Sequence, residues 1–339
     1  MINVHLIPET PVLGPVWSCG EIRLLRPYGH ESLSRVIHVT SGLTLPSGRI
    51  DVVVMQRKGL VEGGLASVSG VVREIKRRGA RLIYDMDDDL LSRHPIPAVE
   101  RMLAGAHSQI RFLLREADLI TTSTEVLRDR LSLLNPNVFL WRNALDEKII
   151  QPLTRMTSPN VVGYFGTASH LEDLMAVVSP IEAAASRHPG PTQIELCGVS
   201  DDRRIDQLFA RRMTTRTLPT EPRYEKFHEM MAATQWRVGI APLMSNPFND
   251  AKSDIKILDY AAAGIPTVAM LHPVYASFQD GETALIVSRE EFGSSVFRLL
   301  ADEDLRQRII RQSRDYLLQD RSLNVCAPLL RQFIDRVLS

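Results

Sequence analysis

The residues best suited to hold a phosphorylated ligand lie in Asn246-Pro-Phe-Asn-Asp-Ala-Lys-Ser-Asp-Ile-Lys-Ile-Leu-Asp-Tyr-Ala-Ala-Ala-Gly-Ile-Pro-Thr-Val. Ser253 is a good helix N-cap, Asp254 suits a first turn, Gly264 falls where a helix-ending glycine belongs, and Pro266 prevents continuation. A helix is therefore predicted from near Lys252 to near Gly264, behind an apolar strand at 238–241. Its free N–H groups and positive dipole end would face the region beyond the strand's carboxyl edge, where anions bind. Lys252 and Lys256, read as one turn apart, bring charge to the same place, which outlines a diphosphate site. Asp259, one turn further in, can accept hydrogen bonds from ribose hydroxyls. Helix capping and strand–helix packing account for the same residues without any ligand, so both readings stand at this point.

A second constellation is Tyr84-Asp85-Met86-Asp87-Asp88-Asp89, directly after an apolar strand. Four carboxylates this close repel one another unless they are solvated, protonated or paired with a cation. Three explanations compete. A carboxylate can serve as general base or contact acceptor hydroxyls, the group can bind a divalent cation, or it can cap the helix that follows. Asp87 is the first candidate for a catalytic contact because it lies two residues past Asp85, with Asp88 beside it.

Near the start, Pro11-Val-Leu-Gly14-Pro and Ser18-Cys-Gly20-Glu-Ile-Arg23 follow the first apolar run, and glycine there permits close backbone approach. The chain has neither GxGxxG spacing nor a GxxxxGK[ST] motif, which argues against dinucleotide and P-loop folds.

These residues need a scaffold, and the hydrophobic pattern supplies one. Short apolar runs at 4–7, 36–39, 52–56, 82–85, 119–122 and 138–141 alternate with amphipathic stretches at 18–25, 65–78, 98–117 and 125–134. That is the pattern of parallel strands joined by helical crossovers. Residues 151–160, with two prolines and several Ser/Thr, read as a linker. The pattern then restarts, with strands at 161–165, 193–198, 215–218, 238–241, 267–269 and 285–287. Helices are predicted at 171–187, 202–213, 224–233, 254–263, 290–300 and 304–319, and a final one at 324–338.

A chain of 339 residues suits two α/β domains of about 150 to 180 residues each. Lys plus Arg and Asp plus Glu are equal at 40 each, so no net field drives wholesale binding to nucleic acid or an anionic membrane. Cys19, Cys197 and Cys326 are far apart and without CxxC spacing, which excludes a disulfide framework and favours a reducing compartment. The first residues lack a basic region followed by a long apolar run, and no apolar stretch is long enough to span a bilayer. A cytoplasmic location is expected. The segment 99–117 places Arg101, His107, Arg111 and Arg115 among apolar residues. It reads either as a surface helix buried on one face or as a peripheral contact at the inner membrane face.

The second half resembles the nucleotide-binding domain of GT-B glycosyltransferases, especially the group 1 or GT4-like family. In that family a carboxylate followed by a small-residue helix, glycine and proline holds the nucleotide's ribose, and Asp259 with Tyr260-Ala-Ala-Ala-Gly-Ile-Pro fits that place. The resemblance extends to Gly163-Tyr-Phe-Gly166-Thr167, Ala241-Pro-Leu243 and Asn143-Ala-Leu-Asp146, and covers most of 115–320. Two departures stand out. The family's first carboxylate falls on Ala251, with Asp250 adjacent. The arginine and lysine that often hold the diphosphate are replaced by Thr167-Ala-Ser-His170, which leaves that charge to Lys252, Lys256 and His170. Gly14 and Gly20 match the loop under the transferred sugar.

The resemblance implies an α/β fold of two Rossmann-like doubly wound domains facing a cleft. Residues 1–148 would bind the acceptor and 149–320 the nucleotide sugar, with 321–339 packing back on the first domain. The implied activity is glycosyl transfer from a nucleotide diphosphate sugar to a glycan, lipid-linked or other acceptor with no required cofactor or metal, and with retention of configuration, or with inversion if Asp87 is a true base for the acceptor hydroxyl. A nucleotide-sugar epimerase and a catalytically silent carbohydrate- or partner-binding protein are the alternatives on the same architecture.

Overall fold

In the computed structural model, residues 1–10, 16–58, 64–94, 96–150, 152, 160–187, 190–198, 209 and 213–339 are described. They form two compact units. Unit 1 comprises Met1–Glu147, Asp250–Ser253 and Asp320–Ser339, and unit 2 comprises Lys148–Asn249 and Asp254–Gln319.

Unit 1 is built on six parallel strands: β1 (Ile2–Ile7), β2 (Ile37–Ser41), β3 (Val52–Gln56), β4 (Arg81–Met86), β5 (Leu119–Thr122) and β6 (Val138–Leu140), in the order β2-β1-β3-β4-β5-β6. Every residue of β3 is buried. An unbroken Val-Val-Val-Met run is what a central parallel strand covered on both faces requires. On one face, α3 (Gly64–Arg77), α4 (Pro97–Glu116) and α5 (Glu125–Ser132) contribute Val68, Val72, Ile110, Leu114, Leu127 and Leu131 to the core. The other face carries α1 (Ser18–Gly20) and α2 (Arg26–Tyr28), which a π-helical turn at Glu21–Leu25 joins into one segment longer than the predicted 18–25.

Unit 2 repeats the plan with β7 (Val161–Phe165), β8 (Gln193–Cys197), β9 (Thr214–Leu218), β10 (Val238–Ala241), β11 (Thr267–Met270) and β12 (Leu285–Val287), ordered β12-β11-β10-β7-β8-β9 and all parallel. Helices α6 (Leu171–Ala185), α9 (Phe292–Ala301) and α10 (Glu303–Asp320) cover one face, and α7 (Tyr224–Ala233) and α8 (Ile255–Ala262) the other. Close packing is set by glycines. A Cβ on Gly163 of β7 would lie 1.8 Å from the Trp236 ring, and one on Gly293 of α9 would lie 2.0 Å from the Pro180 carbonyl of α6. The helix predicted over 202–213 lies almost wholly outside the described residues.

The last helix, α11 (Leu323–Leu338), belongs to unit 1. Leu323, Ala327, Leu330, Ile334 and Val337 recur every three or four residues and join the core that holds Leu24 and Tyr28. No helix among the described residues is long and apolar enough to cross a membrane.

Candidate functional site

An open parallel sheet binds ligands beyond the carboxyl ends of its strands, where the strand order reverses. In unit 2 that point lies between β7 and β10. Lys256, in the first turn of α8, reaches it: its ammonium donates to the Tyr164 hydroxyl at 3.2 Å and sits 4.2 Å from the centroid of that ring and 5.4 Å from that of Phe165. Burial pushes the Tyr164 phenol well above its usual range, so the hydroxyl stays neutral beside the ammonium. Lys256 is thereby a half-buried cation held in place by two aromatic faces.

The loop after β7 is arranged around internal contacts. Gly166 donates its N–H to the Cys197 carbonyl at 3.0 Å, so that amide is already used. What its glycine provides is room, because a Cβ there would come within 3.0 Å of the Tyr164 hydroxyl. Thr167 is exposed and its hydroxyl is 2.7 Å from that of Ser169. His170 Nδ1 lies 2.9 Å from Asp173 Oδ2, while Asp173 Oδ1 accepts from the Met244 N–H at 2.8 Å and Asn249 Nδ2 at 2.9 Å. Asp173, which sequence reasoning missed, therefore ties the loop after β10 to the start of α6.

Asp259 is buried on the face of α8 that meets α7. Its Oδ1 accepts from the Tyr224 hydroxyl at 2.7 Å and lies 3.2 Å from His228 Nε2. An apolar cavity of about 450 Å³ opens further along, at the ends of β11 and β12, lined by Leu271, Pro273, Tyr275, Phe278 and Ile286 among others. Its lining also includes His272 and Asp280.

The predicted start of the 252–264 helix needs correction. α8 begins at Ile255 with Asp254 as its N-cap residue, and no side chain caps it. Ser253 instead accepts from Asn143 Nδ2 at 2.8 Å, and Lys252 lies 3.7 Å from Asp88. Both belong to unit 1, so Lys252 is not one helical turn from Lys256. Ala251 is fully buried in the unit 1 core, where a carboxylate would have to be desolvated.

In unit 1 the strand order reverses between β1 and β3, and the hub there is Arg57. It is the one non-glycine residue with positive φ among those described, at 45°. Its N–H donates to the Asp85 carbonyl at 2.9 Å and its carbonyl accepts from the Tyr84 hydroxyl at 2.7 Å, which holds the unfavourable conformation in place. The guanidinium donates to both Asp87 oxygens at 2.5 and 3.0 Å and to Glu9 at 3.3 Å, and pairs with Asp88 at 3.6 Å. Lys58 adds a second contact to Glu9 at 3.3 Å. Burial alone would raise the Asp87 carboxyl, but the Arg57 charge and hydrogen bonds outweigh it and draw it below the usual range.

Asp85 and Asp89 are also held by partners distant in sequence. Asp85 is sealed by Arg23 at 2.7 Å and the Thr121 hydroxyl at 2.7 Å, and burial pushes its carboxyl up. Both partners are themselves buried, and Arg23 goes on to the Trp141 carbonyl and Asn143. Asp89 accepts from the Leu91 and Ser92 N–H groups at 3.2 and 3.0 Å and pairs with Arg130. It shapes the turn after β4, not the N-terminus of α4. Each carboxylate of the cluster thus has a basic partner, and among the described residues no three metal-ligating side chains converge. Gly20 is buried in α1, where a Cβ would press on Val16 at 2.4 Å. Gly14 lies outside the described residues. Arg57 and Glu9 escaped the sequence reading, although a basic pair directly after Val52–Gln56 was a usable signal.

No protein-family model matches the sequence, and no curated protein matches it. Solved structures do. HepE of Anabaena, in complex with UDP-glucose, superposes with a TM-score of 0.67 at 12% identity, covering 99% of this chain and 100% of HepE. TarM of S. aureus gives 0.63 at 10% identity over 91% of this chain and 57% of its own. Sucrose-phosphate synthase of Thermosynechococcus elongatus gives 0.58 at 15% identity, over 85% and 74%. The chain therefore spans all of HepE but little more than half of TarM. Similarity at this identity speaks for architecture, and with two six-stranded parallel sheets in Rossmann-like order the chain has the GT-B fold.

Proposed function

We propose that the chain is a glycosyltransferase that takes a sugar from a nucleotide diphosphate sugar held by unit 2 and passes it to a glycan or lipid-linked acceptor held by unit 1. The observation that carries this reading is Lys256, a cation fixed over Tyr164 and Phe165 where the strand order of unit 2 reverses. A diphosphate there would gain a charge-assisted contact in a partly desolvated setting. Gly166 gives it room, and His170, oriented by Asp173, is the second group able to share phosphate charge. Asp259 is proposed for the ribose. UDP and UDP-glucose in the HepE structures support a nucleotide sugar as the donor class.

Asp87 is proposed to contact the acceptor through the Arg57-centred cluster, without abstracting its proton. A carboxylate with both oxygens on a guanidinium and a lowered pKa is a poor proton acceptor. The proton of the attacking hydroxyl then goes to the leaving phosphate, which fits retention of configuration and needs no metal.

The test is to incubate the protein with UDP-, GDP- and dTDP-sugars, with and without glycan acceptors, and to follow nucleoside diphosphate release and product configuration. Acceptor-dependent release with retained configuration is expected. Interconversion of the donor sugar without acceptor, or no turnover with any donor, would refute the reading.

A further inference from the structure

The Asp259 carboxylate does not stand alone on α8. Tyr224 and His228, one turn apart on α7, both address its Oδ1, at 2.7 and 3.2 Å. Among the described residues no protein donor reaches Oδ2. His228 is fully buried, and its Nδ1 has no hydrogen-bond partner among the described residues. An apolar side chain would fill that space without an orphaned nitrogen. A histidine held there at that cost keeps one useful group, the Nε2–H directed at Asp259.

Aromatic packing fixes the two donors. The Tyr224 and His228 rings meet edge to face at 4.7 Å, and Phe227 lies 5.4 Å from His228 and 5.0 Å from Phe165. Phe165 ends β7, so the same aromatic group that steadies Lys256 also braces the donors on α7.

We propose that Tyr224 and His228 are positioning residues for nucleotide recognition: by saturating Oδ1 of Asp259 they orient the short aspartate so that Oδ2 is the oxygen offered to the ribose hydroxyls. This rests on the assignment of Asp259 to the ribose. An aspartate side chain is one methylene shorter than a glutamate, and two donors from a neighbouring helix fix its rotamer, leaving less freedom to lose on binding.

The test uses calorimetry on the full chain with UDP, 2′-deoxy-UDP and 3′-deoxy-UDP, and reads the preference for the intact ribose, a ratio that a merely structural role would not move. The wild type should prefer UDP over at least one deoxy analogue by about tenfold or more. Tyr224→Phe, nearly isosteric, and His228→Leu should each cut that preference by about fivefold, while His228→Gln, which keeps a donor, should retain most of it. If the wild type binds UDP without discriminating, the ribose assignment of Asp259 falls and this inference with it. If the wild type discriminates and folded Tyr224→Phe and His228→Leu keep the wild-type ratio, the inference alone is overturned.

Discussion

Replacing Arg57 by methionine should destabilise unit 1 by an amount that depends on pH in a defined direction. The substitution keeps most of the apolar stem and removes the guanidinium that joins Glu9, Asp87 and Asp88. Arg57 and Asp87 are 19% and 9% exposed, so the pair is mostly but not wholly desolvated. Orphaning one partner of a buried pair costs about 3–5 kcal/mol, and the residual exposure argues for the lower end, about 3 kcal/mol. In a unit of this size that lowers Tm by about 6–12 °C at pH 7. Asp87 is held below its usual pKa in the folded wild type, so its contribution is fully present above the ordinary value of about 3.9 and is lost as pH falls through the folded value. Without Arg57, burial dominates and the carboxyl takes up a proton more readily folded than unfolded. Acidification toward pH 4 therefore stabilises the variant at this carboxyl, while the wild type keeps the Asp87 contribution until pH falls below about 3.9. Calorimetric melts from pH 7 to pH 4 should show the gap narrowing. A variant within about 2 °C of wild type at pH 7, or a gap that does not change with pH, would refute the hub assigned to Arg57.

Gly163→Ala should cost unit 2 about 3 kcal/mol or leave it insoluble, since the fully buried Trp236 that the new methyl would strike is also pinned by its hydrogen bond to Glu195 at 2.7 Å. Urea unfolding reads this directly. Asp87→Asn should slow glycosyl transfer less than about tenfold with unchanged nucleotide affinity, whereas the loss of a true general base would cost about 10²–10⁴ in turnover. Burial lowers the pKa of His5 and, to the same sign, of His94. Both bind protons more readily unfolded, so stability should fall as pH drops below about 6.5, and His5→Gln should flatten that slope in melts between pH 7 and pH 5.

The strands were legible because parallel, doubly covered strands such as Val52–Gln56 are unbroken apolar runs, and the helices because their apolar spacing is regular, as in Leu323–Leu338. The position of Lys256 beside the β7/β10 reversal was legible for a related reason: strand, loop, cation and small-residue helix are contiguous in sequence. What sequence reasoning could not reach is set by long-range partners. Ser253 looks like a cap, but Asn143, 110 positions earlier, claims its hydroxyl. Asp85, Asp87 and Asp89 look like a naked carboxylate cluster, but Arg23, Arg57 and Arg130 arrive from 62, 30 and 41 positions away and neutralise them. The donors on α7 that hold Asp259 come from 35 and 31 positions away. Local pattern specifies where the strands and helices form, while the state of a polar group depends on which distant side chain the fold brings to it.

The most direct measurement is calorimetric titration of UDP, GDP and dTDP into the wild type and into Lys256→Ala. Lys256 is the charge that a diphosphate at the β7/β10 reversal would meet, and one lost charge-assisted contact is worth about 1.5–3 kcal/mol. At least one nucleoside diphosphate should bind the wild type, with affinity falling about ten- to a hundredfold in the folded variant. Equal affinity in both proteins, or no binding of any of the three, would contradict a nucleotide-sugar site in unit 2.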